Sequence, residues 1–331
     1  MLVIRKSQVK VFEQVAAQRF EAGLLDHLRT FFPEQAAALG TAQLGKVVRY
    51  GLQRAESRGL RTERGLYLYL ALMFMLGSAF DEDPQLAWMP PLQPPAPPPA
   101  EEPQPAAPST EPTEAVPTPA AVPPPEETEP APPPETPDTR IVPLYEQAMA
   151  FLDRTAGPDN EFLRHTLSVL RQPGVFEGLP AAPSFGHRVL LLLQTLAPEK
   201  YKALGEGALR ALVRSGYEAA KYHGVTTESG MMNYLALAFV LGSGFDRDPL
   251  YPWAAAVLTD PALADPAQRG AALRETALKA LEKCLPAGSR RAEQSVVALA
   301  KPAKSYRRIV EEVPDGFSPP VTPAPPRTAD G

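Results

Sequence analysis

Two stretches of this chain repeat each other at a fixed offset of 165 residues, and that duplication constrains the fold more than any other feature. From Pro33 to Trp88 the match to Pro198–Trp253 needs no gap, and 27 of 56 positions are identical. Its centre is Gly59–Trp88, GLRTERGLYLYLALMFMLGSAFDEDPQLAW, which recurs as Gly224–Trp253, GVTTESGMMNYLALAFVLGSGFDRDPLYPW. Self-similarity at a fixed period means one structural unit used twice.

The unit reads as helical throughout. Val9, Phe12, Val15, Phe20, Leu24, Leu28 and Phe31 recur at three- and four-residue spacing over 7–32, with Ser7 as N-cap and Gly23 as a kink point. Pro33 ends that pattern or opens a short turn, PEQAAALG, that runs to Gly40. A second helix over about 42–58 places Leu44, Val47, Val48, Gly51 and Ala55 on one face, matched by Leu209, Leu212, Val213, Gly216 and Ala220. Glycine inside a helix costs about 1 kcal/mol relative to alanine, so its recurrence predicts a close helix–helix approach. Gly59 and Gly224 then suit the left-handed residue that ends a helix. Thr62 and Thr227 suit the N-cap of the next one, with Glu63 and Glu228 in its first turn. That next helix is apolar nearly all round from Leu66 to Leu76, as befits the buried centre of a bundle, and Gly77 and Gly242 end it. FDEDP and FDRDP each set an Asp before a Pro, the pattern of an N-cap followed by the first helical residue. The second copy continues into helices near 250–259 and 266–285. The first stops at Trp88, so this closing pair is missing from it, its place open to the other copy, a partner or nothing.

Residues 89–138 hold 21 of the 41 prolines and nine acids with no Lys or Arg. Such a segment has little to bury and predicts a disordered, acidic, Pro/Ala/Glu-rich linker that acts as a spacer. The rest of the chain is left with only a small positive excess, which is no footprint for nucleic acid. Cys284 is alone, so there is no internal disulfide. The start lacks the apolar core of a signal peptide, and no apolar run approaches the ~20 residues that cross a bilayer. The expectation is an all-α, cytoplasmic protein without membrane insertion. It comprises helical domain 1 (1–88, the shorter copy), linker (89–138), helical domain 2 (139–287) and a mostly disordered tail (288–331) with one weak helical stretch over 290–313.

Chemistry is hard to find in these motifs. The four histidines, His27, His165, His187 and His223, do not recur at the repeat offset; His223 faces Arg58. No metal-binding helix signature, Gly-rich phosphate loop or nucleophile elbow is present. No catalytic residue, metal site or cofactor is therefore assigned. Asp81, Asp83, Asp246 and Asp248 lack the glycine and glutamate of a calcium loop, and capping explains them without ligands. Phe80, Trp88, Phe245 and Trp253 read as core aromatics of a bundle or, alternatively, as walls of a groove. Together with the four aspartates they form the candidate partner-binding set.

The opening LVIRKSQVKVFEQVAAQRFEAGLLDHLRTFFPEQ, followed by GLQRAESRG, TERGLYLYLALMFMLG and FDEDP, resembles a small all-helical accessory domain of bacteria found near type VI secretion spikes, PAAR-type tips and toxins. The resemblance covers residues 1–88 and, as a second copy, 185–285. It implies a non-enzymatic role as an adaptor or effector-handling protein that binds a spike component or an effector, with no known active site. A toxin-neutralising protein acting through 139–287 is the alternative, and an enzyme with an unfamiliar site the third.

Overall fold

The computed structural model describes residues 6–92, 136–176 and 178–284. The interior of the acidic segment (93–135) and the tail from 285, with the helical stretch expected at 290–313, lie outside the described residues. Among the described residues all regular structure is helical, with no strand. The helices are α1 (Lys6–Phe31), α2 (Pro33–Ser57), α3 (Glu63–Leu76), α4 (Pro137–Ala156), α5 (Glu161–Arg171), α6 (Phe185–Leu196), α7 (Pro198–Tyr222), α8 (Glu228–Leu241), α9 (Pro252–Leu258) and α10 (Pro266–Cys284). No described helix is long and apolar enough to cross a membrane.

Positions 165 apart adopt the same local structure. Helices α2 and α7 are each 25 residues and each break at one glycine, Gly40 (φ 72°, ψ 163°) and Gly205 (φ 73°, ψ 170°). PEQAAALG is therefore helix up to that break, not a turn: proline is at home in a first helical turn, and the glycine alone takes the left-handed φ. Gly59 and Gly224 close the helices in left-handed conformation, and Leu60 and Val225 donate back to the Ala55 and Ala220 carbonyls. Thr62 and Thr227 cap α3 and α8, accepting from Gly65 and Gly230. Gly51 meets Met73 and Gly216 meets Leu235 where a Cβ would stand only 2.8 and 2.6 Å away. This is the close approach that justifies a mid-helix glycine.

Two hydrophobic clusters result. One gathers α1–α3 around Tyr69, Leu70, Leu72 and Met73; the other gathers α6–α10 around α8, on which every residue from Gly230 to Phe239 is buried. Each fully buried Leu or Met contributes about 1.5–3 kcal/mol, so these two rods dominate the stability of their clusters.

Helix α4 fills the place that the sequence leaves vacant in the first copy. Its buried face, Ile141, Leu144, Ala148 and Phe151, joins the first cluster against α3. In the second copy α10 lies against α8 through Gly270, Leu273, Ala277 and Leu281, at nearly the same spacing. Both helices begin with Pro, and each begins beside the glycine that ends the preceding long helix: Pro137 abuts Gly59, and Arg269 abuts Gly224. Asp138, which composition groups with the acidic linker, braces the chain at the Thr62 cap of α3. It accepts from the backbone of Arg61 and Thr62 and from the Thr62 hydroxyl at 2.6 Å, and these bonds hold its carboxyl below the usual range although burial opposes them. The start of domain 2 expected at 139 thus falls inside a helix whose buried face belongs to the first cluster.

The two ends of the acidic segment sit on the same body. Leu92 is buried in the first cluster, and the Pro91 carbonyl accepts from Arg140 Nη1 at 3.5 Å. The described residues on either side of 93–135 therefore both lie against the first copy. Replacing 93–135 with a loop of about ten residues is expected to raise stability by about 1 kcal/mol through a smaller closure entropy, read by urea unfolding. A loss of more than about 1 kcal/mol would show that the segment contributes packing of its own.

Candidate functional site

The FDEDP and FDRDP corners place four carboxylates, and each has protein partners. Asp81 is gripped by Arg54 (2.6 Å) and Arg58 (2.5 Å), with the Tyr69 hydroxyl donating at 3.2 Å. Glu82 joins from outside, 2.5 Å from Arg58. Burial works against the Arg54 charge, yet Tyr69 and Asp81 hold its pKa above the ordinary value; burial and Asp81 push the Tyr69 phenol up. The second copy keeps Asp246 but answers it with one histidine, His223 Nε2 at 2.8 Å. Burial would raise the Asp246 pKa, but His223, Tyr234 and Arg247 keep it below the usual carboxylate range.

Asp83 and Asp248 join the copies reciprocally. Each accepts from the residue two ahead, Gln85 N at 2.9 Å and Leu250 N at 2.8 Å, capping its own turn. The second oxygen crosses over: Asp248 accepts from Ser78 N at 2.7 Å and Asp83 from Ser243 N at 2.8 Å. Gly77 lies against the Leu241 carbonyl, and Gly242 against that of Leu76. This i-to-j, j-to-i exchange is the signature of a local two-fold relation. Helices α4 and α10 follow it, α4 touching α7 and α10 touching α2. Burial is the largest influence on Asp248 and raises its pKa against the lowering effect of the two backbone donors.

Two cavities flank this junction. One, about 110 Å³, lies where α3, α4, α5, α7 and α8 converge, with Lys200, Asp83, Gln85 and Tyr251 in its wall. The other is an open groove of about 590 Å³ between residues 85–88, α4 and the α7 break at Gly205. Trp88 packs on Phe151 there, ring centroids 5.3 Å apart, and Gln147, Arg154 and Leu204 line the walls.

Of the eight residues in the candidate partner set, Phe80 and Phe245 are 1% exposed and pack on Tyr69 and Tyr234. Asp83, Asp246 and Asp248 are buried, and Asp81 is enclosed by its arginines. Trp253 is half-buried against the second cluster beside Tyr251. Only Trp88, 37% exposed, opens to a groove. The corners thus turn inward because their carboxylates are needed to satisfy helix-end donors and arginines.

The histidines do not converge. His27 packs on Phe31 and Tyr67, His187 shares Nδ1 with the Ser184 hydroxyl at 2.8 Å, His223 faces Asp246, and burial lowers the His165 pKa. None lines either cavity. Among the described residues no three His, Cys, Asp or Glu side chains gather as metal ligands.

Arg54, Arg58, Phe151, Gln85 and Lys200 complete the site, and none of them is in the candidate partner set. A signal for four of them existed in the duplication itself, at positions where the copies differ: Arg54 against Ala219, Arg58 against His223, Gln85 against Leu250, Lys200 against Gln35. Comparison with protein-family models, with curated proteins and with solved structures returns no match.

Proposed function

We propose that this protein is a non-enzymatic adaptor that holds an extended, proline-containing segment of a partner protein in the groove floored by Trp88 and Phe151. The partner it serves is a secretion spike component or effector, the role implied by the resemblance to domains found near type VI secretion genes, and its place of work is the cytoplasm. In this reading the two related helical bundles form the scaffold and the groove is the working surface. The observation that carries it is the pairing of a half-open Trp88 with Phe151 beside amide and guanidinium donors (Gln147, Arg154). Paired aromatics receive proline rings, and such donors meet the free carbonyls of an extended chain. The chemical groups that would support catalysis are instead divided among separate caps and ion pairs.

The test is quantitative affinity purification of the tagged full chain from its own cells, in parent, Trp88→Ala and Tyr222→Ala forms. Tyr222 is 87% exposed and ends α7, 14 residues beyond the last groove residue, so it serves as the control. A partner with a proline-containing segment is expected to be retained by Tyr222→Ala and weakened about thirtyfold by Trp88→Ala, the effect of removing a buried aromatic anchor. Equal recovery of the same proteins by parent and Trp88→Ala would end the groove reading.

A further inference from the structure

The 110 Å³ cavity carries a charge in its wall that packing does not require. Lys200, in the first turn of α7, donates from Nζ to the Phe239 carbonyl at 2.5 Å and lies 5.1 Å from the Phe239 ring centroid. At the matching position in the first copy, Gln35 donates from Nε2 to the Phe74 carbonyl at 3.3 Å. The duplication is an internal control. A neutral amide satisfies the helix-end carbonyl, so the ammonium brings a charge beyond that contact. A helix C-terminus favours a cation only modestly, whereas taking an ammonium out of water is expensive unless it is paired.

Among the described residues that pair is missing. Asp83 is the carboxylate whose field reaches Lys200, but its oxygens already accept from Gln85 and Ser243. Among the described residues Lys200 makes no ion pair, and its pKa is lowered to about 8 by burial, with Asp83 opposing. On the same wall Gln85 is 2% exposed; its Nε2 donates to the Ala238 carbonyl, while Oε1 has no partner. Lys200 and Gln85 are both departures from the other copy, which has Gln35 and Leu250. The rest of the wall is largely aliphatic, with Leu76, Leu152, Leu163 and Leu241. At about 110 Å³ the cavity is several times the ~10–15 Å³ that one water needs.

We propose that this cavity is a binding site for a small aliphatic carboxylate that carries a hydrogen-bond donor, the carboxylate on Lys200 Nζ and the donor on Gln85 Oε1. The aliphatic part packs among the leucines. Such a ligand supplies the counter-charge, the donor and the apolar volume that the cavity asks for, and the site goes beyond the partner groove.

Calorimetric titration of the full chain tests it with three probes: 2-hydroxy-4-methylpentanoate, 4-methylpentanoate and the neutral 4-methylpentanamide. The hydroxy acid is expected to bind at one saturable site, and the amide about tenfold or more weaker, because a charge-assisted bond is lost. Lys200→Gln weakens both acids to the level of the amide. Gln85→Leu weakens the hydroxy acid several-fold toward 4-methylpentanoate and leaves the latter unchanged. Both variants install the residue of the other copy, and thermal unfolding checks that they fold. No saturable binding of the hydroxy acid, or equal affinity in parent and Lys200→Gln, overturns the proposal. If Lys200→Gln does not fold, equal affinity of the parent for amide and acid overturns it alone.

Discussion

Asp83→Ala and Asp248→Ala are each expected to destabilise the protein by about 2–4 kcal/mol, well above the usual cost of losing a helix cap. A cap alone is worth about 1 kcal/mol. Each of these carboxylates also satisfies a backbone N–H of the other copy, part-buried Ser243 or Ser78, the latter 1% exposed. Leaving such a donor without a partner costs a further 1–3 kcal/mol, roughly, and the bonds are charge-assisted. A serine at either position separates the two parts, since serine is a good N-cap but too short to cross to the other copy. The Asp83→Ser and Asp248→Ser variants should therefore recover about 1 kcal/mol of that loss and no more. Because the two bridges share one interface, the double Ala variant should deviate from additivity. Urea unfolding checks both points, with a fall in the denaturant slope if the two clusters begin to unfold separately. A double variant that loses less than about 1 kcal/mol in a single unchanged transition would show that the junction does not depend on this exchange.

The reciprocal junction explains which parts of the molecule were readable in advance. Helix ends were, because capping is local: Thr62, Thr227, Gly59, Gly224, Gly77 and Gly242 do in the structure what their residue types predict at those positions. The apolar rods α3 and α8 were readable too, since a helix without a polar face has nowhere to go but inside. What composition and period could not reveal is where a second oxygen of Asp83 or Asp248 goes, because a cap uses one oxygen and the sequence is silent on the other. The same limit applies to α4. A proline-rich run between Trp88 and Thr136 reads as a boundary, yet boundaries in sequence do not say which core receives the next helix. Its buried spacing, Ile141, Leu144, Ala148 and Phe151, is nearly that of α10, but only packing against α3 shows that it completes the first copy. For the site, the aromatic and acidic residues recur in both copies, whereas Lys200 and Gln85 stand out only where the copies disagree. Recurrence marks what the fold requires, so it favours structural residues over functional ones.

Gly270→Val is expected to cost at least about 3 kcal/mol, and Gly270→Ala about 1–3 kcal/mol, although both replace a glycine in the middle of a helix. Propensity alone predicts the opposite sign, a gain approaching 1 kcal/mol for alanine. What decides is the approach of α10 to α8. A Cβ on Gly270 would stand 2.5 Å from the Gly230 Cα, and that neighbour is backbone, which cannot rotate away as a side chain would. Helix α10 must then shift, loosening Leu273 and Ala277 from the second cluster and straining the Arg269 and Arg274 contacts to the His223, Leu170 and Gln172 carbonyls. Gly207→Ala in α7 is the matched control, because its Cβ would meet nothing within 4 Å and the variant should gain up to about 0.5 kcal/mol. Cys284, the sole cysteine, ends α10, and burial raises its thiol pKa. Detachment of the helix in Gly270→Val should therefore accelerate labelling by a thiol reagent before global unfolding. If Gly270→Ala stabilises the chain as Gly207→Ala does, the two helices are farther apart than the backbone contact requires, and α10 is not the clamp that closes the second copy.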